Sequence, residues 1–227
     1  MAKVIKKKKL RLLPFLIFII VIAIIVFLCL IILDTKIKNI IITGNNVLKD
    51  DDIITLAGLA DYPSYYKTLN VNIEKKLKKN LLIKDIKIKR SFYHIIEIDI
   101  DEYQILYKKE DNGKYFLENK NEITLENNIP YMVPKLINEI PDNKIDSFIK
   151  YFKRIDLNIR EKISEIRYEP NEYDKDRFLL YMDDGNSVYF TITKFGRLNY
   201  YNDVLPQLEG RKGILYLDSG NHFQIME

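Results

Sequence analysis

The chain has 227 residues, with 36 basic against 32 acidic side chains for a net charge of +4, and a single cysteine. One cysteine excludes an intrachain disulfide, so stability must come from packing, and the roughly 190 residues beyond the first apolar run suffice for two small cores. The basic balance does not point to nucleic acid: Lys3, Lys6, Lys7, Lys8, Lys9 and Arg11 carry the excess at one end, leaving the remainder slightly acidic.

From Leu12 to Leu33 the sequence is apolar without interruption. About 22 residues at roughly 1.5 Å each span about 33 Å, enough to cross a hydrocarbon core with some tilt. The lysines lie before the run, whereas Asp34 follows it with only Lys36 and Lys38 nearby. This bias predicts a cytoplasmic segment at 1–11, a transmembrane helix at 12–33, and the bulk of the chain on the far side. A cleaved signal would have a shorter apolar region and small residues before the cut, which the stretch from Phe27 to Lys36 lacks. Cys29 follows the bulky Leu28 and reads as an apolar filler within the span.

Beyond the span, IKNIIIT from Ile37 reads as a strand closed by Gly44-Asn45-Asn46. A helix follows, with Asp50 as cap, Asp51 and Asp52 at the positive end of its dipole, an inward face of Ile53, Ile54, Leu56 and Ala57, and Gly58 as stop. Tyr62, Pro63 and Ser64 make a loop, and a second helix fits Ile73 to Lys79, with Asn70 or Asn72 as cap and Leu77 inward. Two strands come next. Ile86 and Ile88 alternate with Lys87 and Lys89, then Ile96, Ile98 and Ile100 alternate with Glu97, Asp99 and Asp101, around a turn at Ser91 to His94. Paired antiparallel, they place every isoleucine on one face and set lysines against carboxylates on the other. Such exposed ion pairs are weak, and the charged row reads as a solvated sheet face.

The order strand, helix, helix, strand, strand directly after a lysine-flanked span resembles a polypeptide-transport-associated (POTRA) domain, and with it the FtsQ/DivIB family of bacterial division proteins. The residues carrying the resemblance are IKNIIITGNNVLKDDDIITLAGL and LNVNIEKKLKKNLLIKDIKIKRSFYHIIEIDIDE, ending at Glu102. Two positions depart from the family pattern. Tyr93 stands where the hairpin usually has proline, and Lys49 or Asp50 where a small hydroxyl residue usually caps the first helix.

The second unit begins with strands around Gln104 to Tyr107 and Tyr115 to Leu117, joined at Asp111-Asn112-Gly113 within a stretch that runs to Asn128. Pro130, Pro134 and Pro141 mark a less regular passage. Asp142 then caps a helix whose stripe is Ile145, Phe148, Ile149, Phe152 and Ile155, with Lys153 and Arg154 near its end. Asp184-Gly185 between RFLLYM and SVYFTI reads as a tight hairpin in which Asp183 faces Asn186. That register puts Leu179, Tyr181, Val188, Phe190 and Ile192 on one face and leaves the other substantially apolar. The Ile145–Ile155 helix is expected over one face, and the segment with Leu198, Tyr201, Val204 and Leu205, broken at Pro206, over the other. Gly213 to Asp218 is the expected last strand and Ser219 to Glu227 a mobile tail. The predicted fold class is therefore α+β, with a single N-terminal transmembrane helix (12–33), a βααββ POTRA domain (36–103), a β-rich domain with flanking helices (104–218) and a tail (219–227).

No catalytic, cofactor-binding or metal-binding set emerges. No cysteine follows the span, His94 and His222 lack metal-ligand spacing, no serine stands in a Gly-x-Ser-x-Gly context, and no glycine-rich phosphate loop occurs. Turn and helix-start chemistry accounts for Asp183-Asp184 and for Asp50 to Asp52. What remains is protein recognition. A last strand either closes its sheet or offers an open edge to a partner strand, making Ile214, Leu215, Tyr216 and Leu217, with Phe223, the partner-binding candidates. The family resemblance implies a non-catalytic divisome scaffold, concentrated at the septum, whose distal β-domain binds FtsL and DivIC (FtsB-like), with a septal penicillin-binding protein as a further partner. The alternative is a membrane-anchored POTRA-type receptor or chaperone-like module that holds extended peptides by strand addition.

Overall fold

The computed structural model describes residues 12–125 and 132–226. The basic segment Lys3 to Arg11, Asn128 and Pro130 lie outside the described residues. The first helix, α1 (Leu12–Leu33), is exposed from Leu13 onward and apolar on all sides, as a helix that meets lipid must be. Beyond it the chain folds as two units, dividing between Asp101 and Glu102.

The first unit contains β1 (Asn39–Thr43), α2 (Asp50–Ala57), α3 (Asn70–Leu77), β2 (Ile83–Ser91) and β3 (Ile95–Glu102). The sheet order is β1-β3-β2, and β1 runs parallel to β3 with Ile40 opposite Ile96 and Ile42 opposite Ile98. Alternation places Ile96, Ile98 and Ile100 fully inside, with Ile40, Ile42, Ile86 and Ile88 packed against them. The helices close this face with Ile53 and Ala57 from α2 and Ile73 and Leu77 from α3. Each fully buried side chain of this size contributes about 1.5–3 kcal/mol of transfer free energy. On the outer face Lys84 meets Asp101 at 3.2 Å, both well solvated.

The helix caps differ from expectation. The N-cap positions are Lys49 and Leu69, and neither makes a side-chain capping bond. Asp50 instead accepts a hydrogen bond from Asn45 Nδ2 at 2.9 Å, an atom that also donates to the Leu48 carbonyl at 2.7 Å. Asn70 accepts from Arg90 Nε at 2.5 Å. Arg90 further donates Nη1 to the Tyr65 carbonyl at 2.6 Å and Nη2 to the Thr68 carbonyl, while its guanidinium lies 4.7 Å from the Tyr65 ring centre. One side chain thus binds the whole loop between α2 and α3 to the end of β2.

The second unit comprises β4 (Ile105–Lys109), β5 (Tyr115–Leu117), β6 (Glu122–Ile123), β7 (Lys135–Leu136), α4 (Asp142–Phe152), α5 (Leu157–Arg160), β8 (Ile163–Tyr168), β9 (Arg177–Met182), β10 (Ser187–Thr191), a 3₁₀ stretch (Ile192–Tyr200), α6 (Tyr201–Val204), a second 3₁₀ turn (Leu205–Leu208), β11 (Gly213–Tyr216) and β12 (His222–Ile225). Among the described residues these strands form one mixed sheet, in the order β12-β11-β10-β9-β8-β7-β4-β5-β6. Pro141, not Asp142, occupies the N-cap of α4. The α4 stripe is otherwise as expected: Phe148 and Phe152 are buried, and Ile155 is buried just beyond the helix.

Two expectations for the β9–β10 hairpin are corrected. Observed pairs are Leu180 with Val188 and Phe178 with Phe190, one residue away from the predicted register. The cause is the turn. Met182 N–H donates to the Asn186 carbonyl, leaving Asp183, Asp184 and Gly185 as a three-residue loop with Gly185 at φ 88°, the left-handed position such loops require. The core face therefore carries Phe178, Leu180, Met182, Val188 and Phe190, and Leu179 falls on the other side. The second correction concerns the covering segments. Both α4 and the 3₁₀ stretch pack on this same face, because Phe195 contacts Phe148, Phe178 and Phe190 together, at ring-centre distances of 5.7, 6.4 and 4.3 Å.

Arg90→Ala should lower the stability of the first unit by about 2–3 kcal/mol, since it leaves two carbonyls and an amide without their charged donor. Denaturant unfolding of the detergent-solubilised chain, with hydrogen exchange at residues 62–70, checks this. Exchange there should rise while the second unit stays unchanged.

Candidate partner-docking edge

Ile214, Leu215 and Tyr216 lie in β11, and Leu217 directly follows it. This strand is not at the edge. It pairs in parallel with β10 and antiparallel with β12, so the stretch expected to be a tail supplies the terminal strand. Asp218-Ser219-Gly220-Asn221 is the turn that allows it, with Asp218 Oδ1 accepting from the Ser219 N–H at 2.7 Å. Gly213 allows it too: a Cβ there would stand 2.1 Å from the Gln224 carbonyl oxygen. The sequence did carry this signal, in a run of turn formers followed by HFQI.

The two faces of this end of the sheet differ. On the core side Leu215 faces Phe223 and Gly213 faces Ile225. Leu215, Phe223 and Ile225, with Leu217, Val204 and Leu208, floor a groove of about 740 Å³, rimmed by Arg197 and Arg211. On the other side a ladder of rings crosses the strands. Tyr189 stacks on Tyr216 at 5.4 Å and Tyr216 on His222 at 4.5 Å, and the Arg177 guanidinium caps Tyr189 at 3.6 Å. Arg177 also pairs with the nearly buried Asp218 at 2.7 Å. Hence Ile214 and Tyr216 look one way, Leu215, Leu217 and Phe223 the other.

Backbone polarity completes the site. Met226 N–H donates to the Lys212 carbonyl, so alternate residues of β12 point their amides toward β11 and Phe223 and Ile225 point theirs outward. The open edge thus presents main-chain donors and acceptors above an apolar floor.

Burial alone would raise the Asp218 carboxyl, but hydrogen bonds from Arg177 and Ser219 outweigh it and hold the group below the ordinary carboxylate range. Asp184 behaves alike: burial opposes ionisation, whereas the Asn186 N–H and the Tyr201 hydroxyl, at 3.0 and 2.9 Å, favour it more. For reaction chemistry the arrangement offers little. Among the described residues no three His, Cys, Asp or Glu side chains gather as a metal site, and His94 and His222 belong to separate units.

A membrane-crossing helix, a βααββ unit and a mixed sheet ending in an open strand define a membrane-anchored protein of the POTRA-containing class. Residues 35–103 match the POTRA domain of FtsQ type, and residues 107–219 match the C-terminal domain of the cell division protein FtsQ/DivIB. The chain is 31% identical to the cell division protein DivIB of Bacillus subtilis (strain 168) over 195 residues, 84% of this chain and 74% of that protein. It is 29% identical to DivIB of Listeria monocytogenes over 225 residues, 96% of this chain and 83% of the relative. A solved structure of the major extracytoplasmic domain of the trans isomer of DivIB from Geobacillus stearothermophilus is 25% identical, with a TM-score of 0.39, covering 48% of this chain and 96% of that one. The chain belongs to the FtsQ/DivIB family of bacterial cell division proteins.

Both depressed carboxyls stabilise the second unit fully above their unfolded pKa of about 3.9, and that contribution is lost as pH falls through the lower folded values. Asp218→Asn should therefore cost about 1–3 kcal/mol at pH 7 and flatten the acid dependence. Denaturant midpoints of the second unit at pH 7 and pH 3 measure both effects.

Proposed function

We propose that this chain is a non-catalytic scaffold of the division machinery that holds FtsL and DivIC on the extracytoplasmic side of the membrane by strand addition at β12. The observation that carries the reading is the open backbone edge of Phe223 and Ile225 beside a polar-rimmed groove with an apolar floor. Main-chain pairing supplies affinity, and the side chains that alternate toward the groove supply selectivity. Phe223 and Leu215 meet those side chains directly, Leu217 extends the floor, and Ile214 and Tyr216 hold β12 in place from the opposite face. Arg211 at the rim is paired with Glu209, whereas Arg197 meets the neutral Asn221 and favours a partner segment with an acidic residue beside its apolar ones.

The N-terminus lies in the cytoplasm, the bulk of the chain outside, and the protein gathers at the division septum. A septal penicillin-binding protein is a further partner in this reading. The arrangement gives a stable platform without a reaction of its own.

Ile225→Pro removes an outward N–H while sparing the bonds between β11 and β12, which proline tolerates at an edge. It should weaken capture of the FtsL–DivIC pair by about tenfold, one lost hydrogen bond's worth, with stability unchanged. Binding measured with the reconstituted full chain decides the matter: undiminished capture sinks the strand-addition reading. A tagged copy spread evenly over the membrane, away from midcell, would remove the septal role.

A further inference from the structure

The first unit carries an exposed aromatic surface that strand addition at β12 does not use. Phe92 is completely exposed and Tyr93 is 76% exposed, both at the tip of the β2–β3 turn. Tyr62 and Tyr66 stand exposed on the loop after α2. The two tips stand side by side, because Tyr65 and Tyr66 contact the His94 ring at 5.0 and 5.7 Å and each other at 5.2 Å.

Their position is fixed by the chain that leaves α1. Ser64 Oγ donates to the carbonyl of Leu33, the last residue of α1. Tyr65 N–H donates to the Thr35 carbonyl at 2.8 Å, Ile37 N–H to the Pro63 carbonyl at 3.0 Å, and Lys38 N–H to the His94 carbonyl at 2.9 Å. Both tips are therefore bonded to the five residues that follow the helix, no more than about 17 Å of extended chain from its end. Arg90 makes the attachment stiff by clamping the same loop to β2.

A large exposed aromatic patch in water is unfavourable and marks a contact surface, whereas aromatic rings are at home in the headgroup layer of a bilayer. The charges nearby suit the same place. Lys36 and Lys38 are exposed beside the patch, Lys67 pairs with Asp34 at 2.8 Å, and Asp61 is the other carboxylate on the loop. Because α1 holds the patch beside the bilayer permanently, the lipid surface is the occupant that is always within reach.

We propose that Tyr62, Tyr66, Phe92 and Tyr93 insert into the headgroup layer of the membrane that α1 crosses, giving the POTRA unit a second membrane contact that sets its tilt. The inference rests on α1 being a true span.

The chain contains no tryptophan, so one introduced ring is a clean reporter. Tyr93→Trp and Leu81→Trp are compared in the full chain, reconstituted in vesicles of phosphatidylglycerol and phosphatidylethanolamine with or without brominated acyl chains. Leu81 is exposed and lies just before the other end of β2, about 30 Å of strand away. Expected is blue-shifted emission at position 93 that brominated lipid quenches, and at position 81 red emission that it does not. Alkaline extraction of the same vesicles reads the span separately. A chain that resists extraction while position 93 behaves like position 81 overturns the aromatic contact alone, and a chain released by alkali overturns the span and the contact together.

Discussion

The second unit depends on the packing of five phenylalanine rings. Phe148 and Phe152 come from α4, Phe178 and Phe190 from adjacent strands, and Phe195 from the 3₁₀ stretch that returns the chain over them. All five are essentially buried. Because edge and face contacts between rings are directional, they favour one seating of the helix and the 3₁₀ stretch on the sheet, beyond the general gain from burial. The register of β9 against β10 follows, since only the observed alternation brings Phe178 and Phe190 to the same side.

From that seating the rest of the sheet can be traced outward. The 3₁₀ stretch and α6 lead into the loop before β11, and Tyr201 returns a hydroxyl to Asp184 in the β9–β10 turn. Asn186, buried at the same turn, accepts from the Gly213 N–H at 3.0 Å and so marks where β11 begins. Arg177 and Asp218 then fix its far end. The open strand is held at the end of a series of specific polar contacts between elements that are distant in sequence.

This explains which parts were legible beforehand. The first unit was nearly complete in its isoleucine alternation, in the turn at Ser91 to His94 and in Gly58, because those signals are local. The parallel pairing of β1 with β3 was not, since alternation fixes a face without naming a neighbour. The caps were misread because Asp50 and Asn70 have better partners in Asn45 and Arg90, contacts no local spacing reveals. The β9–β10 slip came from counting Asp184-Gly185 as a two-residue turn, when Gly185 in the left-handed region adds a third residue. Of the candidate docking residues, Ile214 to Tyr216 lie in the strand expected from sequence, and Phe223, expected in a tail, lies in β12. The edge itself was missed because a strand of four residues with two polar members is stabilised mainly by its neighbour.

The direction of β1 has a mechanical consequence. The chain enters β1 at Asn39 from the membrane side and leaves β3 at Glu102 toward the second unit, and these two strands lie side by side and parallel. A pull between the membrane and the second unit therefore draws the strands along their length in opposite directions. Every hydrogen bond of the ladder then carries load at once, in shear, instead of opening one after another as in an unzipped hairpin. The POTRA unit is thus connected as a joint that resists tension between the first helix and the second unit.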